Sequence, residues 1–139
     1  MFLRTVFVWA VGLPIAFVLF LAVILSFLID RTGNAVHSIG SNWFKIILAL
    51  SGVRVDISGV ENIPKGTAVI IVSNHQGAFD IPVLQAYLPL QFRWVAKKSL
   101  FKIPVLGWSM SLAGCIAIER EKASLAYKTI EEAAEKIRK

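Results

Sequence analysis

Ala68-Val69-Ile70-Ile71-Val72-Ser73-Asn74-His75-Gln76-Gly77-Ala78-Phe79-Asp80 is the stretch on which the fold of this chain turns. Its first five residues are apolar and mostly β-branched, the pattern of a strand buried on both faces of a sheet. The remainder is largely polar and contains one glycine, which lets a loop fold tightly. Residues 82–88 are predicted to be helical. Strand, loop and helix in succession are the unit of an α/β fold, and in open α/β sheets ligand sites gather at the carboxyl ends of strands. His75 falls just past such an end, and Asp80 follows five residues later, near the helix start.

That spacing allows the Asp80 carboxylate to reach one nitrogen of the His75 imidazole. The other nitrogen would then face a substrate hydroxyl as a general base. Asp80 would fix the tautomer and stabilise the imidazolium. A substrate that brings its own hydroxyl needs no separate protein nucleophile. The same residues also have a purely structural reading. Asp80, two residues before Pro82, suits a helix N-cap, and His75 could bond a loop carbonyl.

Outward from this stretch, helical and strand patterns alternate. Val53-Arg54-Val55-Asp56-Ile57 has period two, which predicts a half-buried strand. Turn residues follow at Ser58-Gly59 and over residues 62–66. Further strands are predicted over residues 92–96 and 115–118. A short helix is predicted over residues 104–112, with Pro104 near its first turn, and a longer one over residues 122–139. The alternation implies an α/β fold with a largely parallel sheet.

The chain before this domain reads differently. Residues 5–29 carry no charge, with Arg4 before them and Asp30 and Arg31 after. About 20 apolar residues cross a hydrocarbon core. A secretory signal would have a shorter apolar core and a small-residue cleavage site. Gly12 and Pro14 are both tolerated in membrane helices, and they also permit a bent helix that dips in and returns. Trp43-Phe44-Lys45-Ile46-Ile47-Leu48-Ala49-Leu50 is too short to span. It reads as an interfacial helix with Trp43 near the headgroups, or as a core helix of the domain that follows. The expected organisation is a membrane-anchoring segment over residues 1–52 and an α/β domain over residues 53–139.

Composition narrows the partners. The 139 residues are 56% hydrophobic and 17% charged, too apolar for a disordered chain. Fifteen Lys and Arg against nine Asp and Glu give a net charge of +6. A basic balance suits nucleic acid, anionic lipid or a phosphorylated substrate. Four Trp and nine Phe tilt the choice toward lipid, and no nucleic-acid partner is expected. Cys115 is the single cysteine, so no internal disulfide is possible, and it reads as a small buried hydrophobe. With only His37 and His75 beside it, no Cys/His metal spacing exists.

Two basic features remain. Arg93, Lys97, Lys98 and Lys102 form a run with no acid between Gln91 and Trp108. It reads either as a solvated face or as an anion site for phosphate or headgroups. Arg120 lies just beyond the strand predicted over residues 115–118. It could grip a phosphate bidentately, or pair with Glu119, Glu121 or a later glutamate.

Taken together, these residues resemble the glycerolipid acyltransferase family, specifically the 1-acyl-sn-glycerol-3-phosphate acyltransferases. Asn74-His75-Gln76-Gly77-Ala78-Phe79-Asp80 matches that family's N-H-x-x-x-x-D block. The segment from Val95 through Lys97, Lys98 and Pro104 to Gly107-Trp108 looks like the family's connecting segment. Gly114-Cys115-Ile116-Ala117-Ile118-Glu119-Arg120 is similar to its second block. The resemblance implies His75 as catalytic base and Asp80 as its partner. It implies Arg120 on the acceptor's phosphate, with Asn74, Lys97, Lys98 and Gly114 as further substrate-binding positions. It implies transfer of a fatty acyl group from acyl-CoA or acyl-carrier protein to the free hydroxyl of lysophosphatidate, or to another lysolipid, with no metal or redox cofactor. The expected setting is a membrane, the bacterial inner membrane in particular, with the α/β part on the cytoplasmic side.

The family's third block, a Phe-Pro-Glu-Gly-Thr-Arg type sequence, does not occur in these residues. The expectation is therefore that the resemblance covers the N-terminal portion of a longer enzyme with an incomplete sheet. The alternative expectation is a catalytically incompetent, membrane-bound fragment.

Overall fold

A computed structural model describes residues 2–119, together with Tyr127 and Glu131. Arg120 and all but those two residues of the helix expected over 122–139 lie outside the described residues. The architecture is mixed, four α-helices with one short two-stranded parallel sheet among the described residues. The helices are α1 (Phe2–Ile29), α2 (Asn34–Ser51), α3 (Asp80–Tyr87) and α4 (Leu106–Leu112), and the strands are β1 (Val95–Lys97) and β2 (Ile116–Ile118). Short 3₁₀ turns occupy Val60–Asn62 and Lys98–Lys102.

The uncharged N-terminal run is one unbroken helix. At 1.5 Å per residue the 28 residues of α1 extend about 42 Å, more than a hydrocarbon core of about 30 Å requires. Its length and composition are sufficient to cross a membrane. Phe2, Leu3, Trp9, Leu13, Phe17, Leu25 and Leu28 are among its exposed side chains. Pro14 lies inside the helix, which continues through it. The second apolar stretch is also helical, but α2 begins at Asn34, well before the predicted start at Trp43.

The chain folds as two compact units. The first comprises residues 1–22 and 37–90. Within it, Gly12 of α1 lies against Trp43 and Ile47 of α2, where an added Cβ would come to 3.5 Å of each side chain. The amide of buried Gln85 on α3 donates to the His37 carbonyl (3.3 Å) and to Ser41 Oγ (3.0 Å) of α2. A buried amide must find partners, so these bonds fix α3 on α2.

Two predicted strands of this unit are not strands. Residues 53–57 and 68–72 belong to no ladder. In the first, the period-two pattern survives as burial only as far as Asp56, with Val53 and Val55 half-buried and Arg54 and Asp56 exposed, while Ile57 is 51% exposed. In the second, Ile70 is 81% and Val72 is 89% exposed, the opposite of a strand covered on both faces. The physical reason is that β-branched residues favour a pleated surface only when neighbouring strands supply one. Among the described residues the only ladder pairs β1 with β2.

The second unit comprises residues 23–36 and 91–139. Here β1 and β2 pair in parallel, with Val95, Ala96 and Lys97 opposite Ile116, Ala117 and Ile118. β1 thus starts three residues later than predicted and ends at Lys97. The connection between them runs through the Lys98–Lys102 turn and α4. Val105 adopts φ 65 and ψ −58, and Leu106 N–H donates to the Pro104 carbonyl at 2.7 Å. This is a γ-turn of the rare hand, strained for a β-branched residue. It delays the helix, so α4 begins at Leu106 rather than at residue 104, with Pro104 just before its first turn. Gly107 allows the close packing that follows, because a Cβ there would overlap the Phe101 carbonyl oxygen.

Arg93 is a structural clamp in this unit. Its guanidinium donates to the Thr32 carbonyl (3.0 Å), to Asn34 Oδ1 (2.6 Å) and to the Phe92 carbonyl (2.9 Å). It therefore leaves the basic run read as an anion site. Arg93→Ala is expected to lower stability by about 1.5–3 kcal/mol, the range for hydrogen bonds made by a charged group. Lysine should not rescue it, since a single ammonium cannot reproduce the planar fork. Thermal unfolding of the three proteins checks this, and equal midpoints would refute it.

Candidate active site

The loop before α3 is held by one carboxylate oxygen. Asp80 Oδ2 accepts from Gln76 N–H (2.6 Å), from Gly77 N–H (2.8 Å) and from His75 Nδ1 (3.0 Å). In return, Asp80 N–H donates to the Gly77 carbonyl at 3.2 Å. Gly77 thereby joins its own turn to Asp80 from both sides. Phe79, rather than Asp80, occupies the cap of α3, and Asp80 is the first helical residue. The N-cap alternative is thus corrected. The side chain reaches back to the loop instead of forward to the helix, because loop N–H groups lie within its reach. The bond from His75 to a loop carbonyl is likewise replaced by one to the carboxylate.

This geometry sets the imidazole's tautomer. An ionised carboxylate only accepts hydrogen bonds, so the proton on neutral His75 sits at Nδ1. Nε2 is left with its lone pair. The His75 side chain is 64% exposed and that of Asp80 33%. The imidazole is therefore oriented on one side and open to a reactant on the other. The sequence points to His75 and Asp80. It does not point to the two backbone N–H donors, for which the only signal is Gly77 within the loop.

The Asp80 carboxyl is held below its usual value of 3.8, first by the Gly77 N–H, then by His75, then by the Gln76 N–H. A depressed folded pKa gives stability that is present above the unfolded value. That stability is lost as pH falls through the folded value. The His75–Asp80 bond is thus expected to persist through neutral and mildly acidic solution and to break only below the ordinary carboxylate range. An Asp80 carboxyl carbon titration by NMR with its midpoint at or above 3.8 would refute this.

The other predicted residues fall in different places. Asn74 is exposed in the loop directly before His75. Lys97 and Lys98, both exposed, stand at the junction of β1 and the 3₁₀ turn of the second unit. Gly114 is in that unit too, at φ 76 in a turn beside the Arg93 side chain. The left-handed backbone accounts for glycine there without a ligand. Cys115 is half-buried, and burial pushes its thiol pKa up, which fits an inert small hydrophobe. Among the described residues, no group of three or more His, Cys, Asp or Glu could hold a metal ion.

Comparison with known proteins gives a consistent picture. The profile of the family described as Acyltransferase matches residues 54–139, more than half of the chain. A 1-acyl-sn-glycerol-3-phosphate acyltransferase of Saccharomyces cerevisiae is 33% identical over 97 residues, covering 70% of this chain and 32% of the yeast protein. One from Pseudomonas aeruginosa is 34% identical over 94 residues, covering 64% of this chain and 35% of that protein. A chloroplastic one from Brassica napus is 34% identical over 94 residues, covering 67% and 27%. The chain thus spans about a third or less of the length of these curated relatives. No solved structure matches it.

Proposed function

Because the chain belongs to the acyltransferase family, we propose that it carries the proton-transfer site of an enzyme that acylates lysophosphatidate. The observation that carries this reading is the His75 Nδ1 to Asp80 Oδ2 bond at 3.0 Å, which leaves Nε2 as a base. Nε2 takes the proton of the acceptor hydroxyl as that oxygen attacks the thioester carbonyl of acyl-CoA or acyl-carrier protein. The new C–O bond forms, the C–S bond breaks, and the departing thiolate recovers the proton from His75. Asp80 stabilises the imidazolium in between. The positive end of α3, which starts beside this loop, favours negative charge developing nearby.

In this reading Arg120 binds the acceptor's phosphate, with Lys97, Lys98, Asn74 and Gly114 contributing to the substrate site. The reading also completes a mostly parallel sheet of the acyltransferase type around the β1–β2 pair. It sets α1 in a membrane, where its exposed apolar side chains meet lipid, with α2 at the interface and the remainder on the cytoplasmic side. Support comes from names of relatives that specify this acceptor and from a helix whose lipid-compatible surface is not covered by protein. The test is acyl transfer from acyl-CoA to lysophosphatidate by the full-length protein and its His75→Ala variant. Equal turnover by the two would overturn the proposal.

A further inference from the structure

Asp80 holds His75 only while α3 holds Asp80. The carboxylate springs from the first residue of an eight-residue helix. Its Oδ2 collects three bonds, from Gln76 N–H (2.6 Å), Gly77 N–H (2.8 Å) and His75 Nδ1 (3.0 Å). A side-chain atom about 5 Å from a helix axis moves about 0.9 Å for each 10° of rotation about that axis. A displacement of that size takes a hydrogen bond outside its effective range. Whatever sets the rotation of α3 therefore sets the His75–Asp80 bond.

Hydrophobic burial does not choose this rotation. Ile81, Val83, Leu84, Ala86 and Tyr87 are spread around α3 rather than gathered in one stripe. Gln85 is 5% exposed and, among the described residues, is the one side chain of α3 hydrogen-bonded to another helix. Its amide nitrogen donates to the His37 carbonyl (3.3 Å) and to Ser41 Oγ (3.0 Å), both on α2. The Ser41 hydroxyl in turn donates to the His37 carbonyl at 3.0 Å. Its proton is thus committed, and its lone pairs are left for the Gln85 amide. Gln85 lies five residues after Asp80, about 7.5 Å along the axis and about 140° around it. One side of α3 is tied to the loop through Asp80 and another to α2 through Gln85. Two attachments so placed oppose both rotation and sliding of the helix.

We propose that Gln85, held by Ser41, is a positioning residue for proton transfer. It fixes the rotation of α3, and so brings the Asp80 carboxylate onto His75 Nδ1. The inference rests on His75 being the base of acyl transfer, and Gln85 acts on that base only through Asp80.

The test compares the full-length protein with Ser41→Ala and with Gln85→Met/Ser41→Ala. Acyl transfer from acyl-CoA to lysophosphatidate, the His75 Nδ1–H resonance and the unfolding midpoint are measured for each. Methionine follows the shape of glutamine, and removing both polar partners together leaves no buried donor unanswered, so the double variant should fold. Its kcat should fall about 10- to 100-fold, up to the scale of a 1 Å misplacement, with KM for both substrates unchanged. The Nδ1–H resonance should weaken with it. Ser41→Ala, which keeps the bond to the His37 carbonyl, should show the same changes to a smaller degree, and it decides the matter alone if the double variant does not fold. A loss confined to KM, or a lowered midpoint with kcat and the resonance unchanged, would overturn the proposal and leave Gln85 a packing contact. If His75→Ala is inactive in the same assay, that failure touches Gln85 alone. Full turnover by His75→Ala would instead remove the base, and the positioning role with it.

Discussion

Replacing His75 by alanine in the full-length protein is expected to lower acyl transfer about 10²–10⁴-fold, the range a positioned general base contributes. The effect should fall on kcat, because the imidazole acts on the proton that moves as the new bond forms. The fold should be indifferent. His75 is mostly exposed, and Asp80 retains its bonds from Gln76 and Gly77 N–H when the imidazole is gone. Asp80→Asn separates the two roles. An amide presents an acceptor and a donor to the loop, so Nδ1 is no longer compelled to carry the proton. That variant should lose activity while keeping His75 in place, and the Nδ1–H resonance should weaken with it. Acyl-transfer kinetics with matched unfolding curves check both. A variant with full kcat at His75 would remove the imidazole from the chemistry.

Gly107→Ala should produce the largest loss of stability, about 3 kcal/mol, at the upper end for inserting an atom into a packed site. The added Cβ would overlap the Phe101 carbonyl oxygen and face its carbon at 2.5 Å and its Cα at 2.8 Å. These are backbone atoms of the Lys98–Lys102 turn, so no side chain can swing aside to make room. The strained γ-turn at Val105 stands two residues before, leaving little freedom to re-route the chain. Gly40→Ala provides the contrast. It lies inside α2 with nothing within 4 Å of an added Cβ, and should gain about 0.5–1 kcal/mol from helix propensity. Thermal melts of the two variants should shift in opposite directions. A Gly107→Ala midpoint equal to that of the unmodified protein would contradict the packing of α4 on Phe101.

What the sequence discloses depends on how local each signal is. The apolar helix, α3, α4 and β2 are legible because each rests on local composition or periodicity. The His75–Asp80 pair is legible too, since a five-residue spacing with a glycine between is a local constraint. The strands expected over residues 53–57 and 68–72 are not. Sequence alone cannot say which neighbours a strand will find, and among the described residues neither has one. Arg93 escapes for a similar reason. A basic run looks like a solvated face, while the partners that recruit Arg93, Thr32 and Asn34, lie about sixty positions away in the chain. The Asp80 carboxylate follows the same logic at shorter range, taking loop N–H groups that no pattern of side chains announces.

The exposed run at Val69, Ile70, Ile71 and Val72 bears on how the protein must be made. Four consecutive β-branched residues with no charge and no proline share the composition of segments that recruit copies of themselves into stacked strands. The nearest flanking lysine is Lys65, and the next charged residue after the run is Asp80, so one side lacks a nearby gatekeeper. A chain emerging from the ribosome presents this segment some forty residues after α1. The bilayer can take up α1 but has no place for a short strand with open backbone groups. An exposed apolar β-branched segment of this kind is an aggregation hazard.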